Sequence, residues 1–251
     1  IMGAAEQAKL AIYGKRMVMF APLYTSNYCV NNCLYCGFRK DNKDLRRRKL
    51  TIEEICSETR ILLQEGHKRL LVLTGETGDR DLSSLKETLK AIYQVRENGQ
   101  GIRRINVEIA PLSTTQFREL KTCNIGTYIC FQETYDQGLY GRYHRTGPKA
   151  DYKNRLFVMH RAMEAGIDDV GIGALFGLAD HRFETLALLR HAEELERLFG
   201  CGPHTVSVPR IEPAHGAPVS EMIPFPVDDD AFRTIIAVLR LSLPYTGIIL
   251  S

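Results

Sequence analysis

The sequence predicts an α/β protein of parallel strands alternating with helices, a (β/α) barrel or a doubly wound sheet. Three observations carry that reading. Seven short apolar, β-rich runs are spaced along the chain, helical stripes lie between them, and no G-x-G-x-x-G follows the first run to mark a dinucleotide site. The runs are "MVMFAPLY" (17–24), "RLLVLTG" (69–75), "RINVEIAPL" (104–112), "TYICFQET" (127–134), "DVGIGALFGL" (169–178), "TVSVPRI" (205–211) and "GIILS" (247–251). Each is continuous in apolar character, as a strand covered on both faces requires.

Between the first two runs, Thr51 and Glu54 form a capping box ahead of Ile52, Ile55, Leu62 and Leu63, and Gly66 stops the helix. Similar stripes occur at Leu82, Leu85, Leu89 and Ile92, at Leu156, Met159 and Met163, and at Phe232, Ile235, Ile236 and Leu239. Strand and helix in this alternation mean right-handed βα units. A complete eightfold barrel needs one strand more than the seven visible, so the chain reads as one barrel domain, residues 1–251, forming the N-terminal part of a longer protein.

Composition narrows the function. With 251 residues and 44% hydrophobic side chains the chain can bury a large core. No window reaches the roughly 18 apolar residues of a membrane span, and the start lacks a signal-peptide pattern, so a cytoplasmic protein is expected. A net charge of +3 gives no reason to expect nucleic acid, although "RRRK" at 46–49 is a local basic knot, read as solvated. Seven cysteines without a secretory signal argue for reduced thiols. Of these, Cys56, Cys123 and Cys130 fall on helical or strand patterns and read as core.

The other signal is "YTSNYCVNNCLYCGFRK", residues 24–40, with Cys29, Cys33 and Cys36 in eight positions after the first run. In a barrel this is the C-terminal mouth of the strands, where chemistry is kept. Asn27, Asn31 and Asn32 make the loop too polar for simple core packing. A structural zinc site wants a fourth ligand, and neither a second C-x2-C knuckle nor a nearby histidine supplies one, although a zinc-binding scaffold stays as the alternative without catalysis. Three thiolates suit a [4Fe–4S] cluster with one iron open to a non-protein ligand.

The spacing C-x3-C-x2-C closing the first strand resembles the radical S-adenosylmethionine (SAM) superfamily, whose open iron is chelated by SAM. The fuller string "APLYTSNYCVNNCLYCGF", with "GHKRLLVLTGE", "IGTYICFQETY", "GPKADY", "RAMEAGIDDVGIGALFGL", "GPHTVSVPR" and "PYTGIILS", is similar to the aromatic amino-acid lyases of that superfamily. This branch contains tyrosine lyases of [FeFe]-hydrogenase maturation and of thiamine synthesis. "SNYCVNNC", "GIRRIN", "GPKADY" and "GPHTVSVPR" favour the maturase side, while "LVLTGE" and "GIGALFGL" look like the thiamine side; a lyase for tryptophan or another amino acid would fit the same cysteines.

The resemblance implies the site. Cys29, Cys33 and Cys36 would hold the cluster, and the Gly75-Glu76 pair would receive the amino group of SAM. Tyr35 and Phe38 would cover the cluster and touch adenine. Glu108, Gln132, Glu133 and Tyr135 would meet ribose hydroxyls or an ammonium group. Arg210 would grip a carboxylate, with Glu133 and Arg210 the catalytic pair. Arg145 and Lys149, also able to reach carboxylates, read more simply as a surface loop. His204, at the start of the sixth strand and opposite the cysteines, would ligate an auxiliary iron site whose second cluster belongs to a region beyond these residues. The implied reaction cleaves Cα–Cβ of tyrosine to p-cresol and dehydroglycine (2-iminoacetate), the latter a source of CO and cyanide in the maturase. A low-potential donor such as ferredoxin or flavodoxin would supply electrons, other maturation factors are possible partners, and oxygen sensitivity is expected.

Overall fold

The computed structural model describes residues 1–77 and 82–250. Seven parallel strands stand in chain order in one curled sheet, a half-barrel whose edges are the first and last strands. They are β1 (Ala21–Ser26), β2 (Arg69–Thr74), β3 (Arg104–Glu108), β4 (Thr127–Ile129), β5 (Asp169–Gly173), β6 (Thr205–Ser207) and β7 (Gly247–Ile249). The helices are α1 (Met2–Tyr13), α2 (Ile52–Gln64), α3 (Ser83–Gln94), α4 (Thr114–Lys121), α5 (Gln137–Tyr143), α6 (Tyr152–Leu156), α7 (Val158–Glu164), α8 (His181–Phe199), α9 (Pro218–Glu221) and α10 (Asp229–Ser242).

Alternation along the strands sets two faces. Leu70, Val72, Ile105, Val107, Tyr128, Val170, Ile172 and Val206 are essentially solvent-free and belong to the main apolar core. Each such burial contributes roughly 1.5–3 kcal/mol. The residues of opposite parity, among them Leu73, Glu108 and Ile129 in neighbouring register, form the concave wall.

The first strand begins four residues later than expected. Met17, Val18 and Met19 are exposed, because pairing starts at Ala21 with Leu70. Three residues further back the partner would be residues 66–68, where Gly66 at φ +91° is still leaving α2. The other runs are cut short at their C-terminal ends. β4 loses regularity near Glu133, whose φ is +71°, yet its contact with β5 continues through Gln132 N–H to the Gly173 carbonyl (2.9 Å). Ser251, the end of the last expected run, lies outside the described residues.

The Thr51/Glu54 capping box is present at α2. The stripe through Leu156, Met159 and Met163 is broken at Phe157 into α6 and α7. The longest helix, α8, was not among the expected stripes. Its signals were there: Asp180 caps the N–H groups of Arg182 and Phe183, Leu188, Ala192 and Leu195 are buried, and Gly200 ends it at φ +74°. No helix among the described residues is long and apolar enough to cross a membrane.

Candidate functional site

The three cysteines lie on the loop that leaves β1 after a register shift between Tyr24 and Ser26. The chain then turns on itself: the Cys36 N–H donates to the Cys33 carbonyl at 3.1 Å, and the Phe38 N–H lies 3.4 Å from the Cys36 sulfur. Neighbouring segments lock this loop. Cys33 bridges to His144, the Asn32 N–H donates to the Thr146 carbonyl (3.2 Å), and the Val30 N–H donates to the Glu76 carbonyl (2.9 Å). At Gly75 any Cβ would stand 2.2 Å from the Tyr28 carbonyl oxygen, so the end of β2 abuts the loop too closely for another residue. Gly147 is as constrained, at φ +93° and with Asn31 Oδ1 2.4 Å from a Cβ position.

Beside the loop is a network of charges. Arg155, on α6, reaches Glu76 at 2.8 Å and Glu133 at 3.6 Å, and Lys149 reaches Glu133 at 2.6 Å. Asn31, between the first two cysteines, donates to Glu76 Oε2 at 2.7 Å and accepts from the Lys149 N–H at 2.9 Å. Cysteine loop and charge network are therefore one unit. Burial pushes the Glu76 carboxyl up, but Arg155 and Lys149 outweigh it and hold the group below the usual carboxylate range. Burial likewise opposes the charge on Lys149, yet Glu133, Cys33 and Glu76 keep it an ammonium. Ion networks this deep seldom stabilise a fold more than apolar packing would, so their presence here points to use.

Glu108 stands at the end of β3 on the concave wall, partly buried. Burial first, and Glu133 second, push its carboxyl up to about 7. A raised acid holds its proton better folded than unfolded, so folding stability falls as pH rises from the unfolded value, about 4.3, to about 7. Glu108→Gln should remove that decline, leaving the variant more stable than wild type at pH 8 by on the order of 1–3 kcal/mol, as read from urea midpoints at both ends.

Burial pushes Cys33 up to about 12, and burial also raises Cys36, so both favour the protonated form until a cationic centre displaces the protons. Among the described residues no three His, Cys, Asp or Glu side chains gather as for one metal ion. The all-sulfur donor set with no fourth cysteine on the loop fits a [4Fe–4S] cluster with one iron open to a non-protein ligand.

Of the other expected contacts, Phe38 flanks Cys36 and packs edge-on against Tyr24, with ring centroids 5.9 Å apart. Tyr35 goes beneath the loop, its hydroxyl 2.7 Å from His144 Nε2, and so supports the cysteines from inside instead of facing a ligand. Tyr135 stands apart from the loop: its hydroxyl meets His191 of α8 at 2.8 Å, in the layer between sheet and helices. So does Arg210. It pairs with Asp229 at 2.8 Å and lies 4.6 Å over the Phe232 ring, because the acidic first turn of α10 draws it outward. Gln132 is buried at 3% exposure with both amide atoms unpartnered and sealed from solvent. Gln132→Met should therefore raise stability, by about 1–3 kcal/mol, in a urea titration of the cofactor-free chain. His204 lies at the opposite end of the barrel, half exposed, with Nδ1 3.5 Å from Asp169.

Arg155 and His144 are the site residues that sequence reasoning missed, and Lys149, weighed as a surface residue, is buried in the network. Two cations interleaved with carboxylates carry the charge pattern that complements a zwitterion.

The sequence profile of the radical SAM superfamily matches residues 23–208, and that of the biotin and thiamin synthesis associated domain matches residues 207–251. A 2-iminoacetate synthase of Escherichia coli is 32% identical over 95% of this chain and 61% of its own length. Two crystal structures of HydG, a maturase of the [FeFe]-hydrogenase, one of them from Carboxydothermus hydrogenoformans, superpose with TM-scores of 0.96 and 0.94. They are 48% and 49% identical over 99% of this chain, and the chain spans 55% and 57% of theirs. With its profile matched over most of its length, its half-barrel and its C-x3-C-x2-C loop at the strand ends, the chain belongs to the radical SAM superfamily.

Proposed function

We propose that the chain is the catalytic barrel of a tyrosine lyase that cleaves Cα–Cβ to give p-cresol and dehydroglycine, acting in [FeFe]-hydrogenase maturation. The observation that carries the reading is the pairing of the three-cysteine loop with the zwitterion-matching group Glu76, Glu133, Lys149 and Arg155. The cluster and SAM, when bound, supply reductive cleavage to a 5'-deoxyadenosyl radical. Cys29, Cys33 and Cys36 would hold the cluster. Glu76 takes an ammonium group, Arg155 and Lys149 take carboxylates, and the wall around Glu108 and Ile129 keeps the substrate next to the loop and water away.

The maturase side is supported by the 48–49% identity to the HydG structures, against 32% to the 2-iminoacetate synthase of Escherichia coli. His204 is then the residue to ligate an auxiliary iron at the far end of the barrel, with a second cluster supplied from outside these residues. The test is anaerobic reconstitution with iron and sulfide, reduction, and addition of SAM with tyrosine. Both 5'-deoxyadenosine and p-cresol are expected. Deoxyadenosine without p-cresol would transfer the proposal to tryptophan or another amino acid. Tyrosine cleavage that serves thiazole formation, with no CO in a chain including the second cluster, would favour the thiamine side.

A further inference from the structure

Glu133 leaves the fourth strand in a left-handed backbone, φ +71°, within a stretch "ETYD" (133–136) that holds neither glycine nor asparagine to ease it. A side chain in that region persists only where its surroundings over-determine the backbone. From the end of β5 the Leu175 N–H donates to the Glu133 carbonyl at 2.8 Å. From α8 a single carboxylate holds the two residues that follow. The Thr134 hydroxyl donates to Glu184 Oε1, and the Tyr135 N–H donates to Oε2 at 3.0 Å and to Oε1 at 3.2 Å.

Glu184 is fully buried, and no cation is paired with it among the described residues. A carboxylate taken out of water in this way is costly unless donors meet it, and here all three come from the turn after Glu133. An acid in the first turn of α8 also suits the positive end of the helix, but an exposed side chain would serve that end without the cost of burial.

The turn passes this hold on to both members of an ion pair. Thr134 Oγ1, while donating to Glu184, accepts from the Asp136 N–H (3.1 Å), and Asp136 caps α5 by accepting from the Leu139 N–H (2.8 Å). From α5 the Tyr140 hydroxyl donates to the Lys149 carbonyl (2.6 Å). Glu133 and the Lys149 that meets it at 2.6 Å are therefore both tied back to one buried carboxylate.

We propose that Glu184 is a positioning residue for the charge network: it fixes the turn that points the Glu133 carboxylate at Lys149 and Arg155. It acts through Glu133 and not on a ligand. This deepens the proposed function and rests on the reading of that network as the zwitterion site.

The test uses Glu184→Gln, which keeps the shape but sets an amide NH2 group against the donors of the turn. Thr134→Val removes the hydroxyl relay, and Thr134→Ser keeps it. In the cluster-free chain, urea unfolding gives a double-mutant cycle with Glu133→Gln. The rise in the unfolding constant caused by Glu133→Gln should be at least about fivefold smaller in the Glu184→Gln background, because a carboxylate no longer aimed at its partners has less to lose. Thr134→Val gives the same cycle where Glu184→Gln does not fold. In the chain reconstituted with iron and sulfide, the dissociation constant for SAM should rise at least about tenfold in Glu184→Gln and Thr134→Val and return to the wild-type value in Thr134→Ser. Additive costs in the cycle, unchanged SAM affinity in the first two variants, or a Thr134→Ser variant as weak as Thr134→Val would each overturn the positioning role. A wild type that assembles its cluster but binds no SAM would instead defeat the reading of the network as the zwitterion site, and the cycle would still decide whether Glu184 sets Glu133.

Discussion

Replacing Arg155 with leucine is expected to cost about 3–5 kcal/mol of folding stability at alkaline pH, the loss typical when one partner of a buried ion pair is removed. Arg155 is 6% exposed in its side chain and serves Glu76, Glu133 and the Phe131 carbonyl at once. Without it, two carboxylates stay buried with Lys149 as their remaining cation. The loss should depend on pH in a fixed sense. In the wild type, Glu76 sits below its unfolded value, so its pairing stabilises above that value and is lost as pH falls through the lower, folded one. In the variant, burial prevails and the Glu76 carboxyl rises, so stability declines as pH increases from the unfolded value upward. The gap should be smallest at pH values below the wild-type Glu76 titration and widen steadily toward pH 8, in urea unfolding at each pH. A gap independent of pH would assign the cost to packing alone.

Arg155 also shows where the sequence stops being readable. The barrel was legible because a buried parallel strand is a run of apolar residues, and the cysteine loop because three thiols in eight positions have few uses. Arg155 sits beside Leu156 in an amphipathic stretch, where a charge is normally assigned to the solvated face. Its inward course depends on the break at Phe157, where neither Pro nor Gly announces a break. Arg210 shows the converse. A cation at a strand end belongs at the mouth by default, and the group that draws it away, Asp229, is nineteen residues further on. Tyr135 follows Glu133, whose positive φ turns the chain just before it, and no residue type in that stretch announces the turn. Glu108 and Glu133 stand out in the sequence because an acid on an otherwise apolar strand end is costly without a partner, and Glu76 because the Gly75-Glu76 pair resembles a superfamily element. The partners themselves, Lys149 and Arg155, lie far along the chain, and only folding brings them in.

Cys33→Ala should abolish the chemistry while leaving the fold. Cys33 is the most buried of the three cysteines, at 5% exposure, and its removal empties a small volume among Tyr35, Tyr143, Leu178 and Ile211, costing about 1 kcal/mol. The loop itself does not depend on the sulfur. Its backbone is held by the Leu34 to Tyr143 and Cys36 to Cys33 hydrogen bonds, by the bridge to His144 and by Arg47, which donates to the Phe38 carbonyl, none of which uses the Cys33 side chain. Two thiolates cannot retain a cluster that already lacks a fourth protein ligand. Iron and sulfide content should therefore drop sharply and 5'-deoxyadenosine should fall to background, with an unfolding midpoint near that of the cofactor-free wild type. The comparison must be made against that cofactor-free protein, because a bound cluster adds its own binding energy to the apparent stability. Wild-type levels of deoxyadenosine in the variant would remove Cys33 from the ligand set. A loss of fold along with the cluster would mean that the thiol is structural, and would return the loop to the role of a packed scaffold.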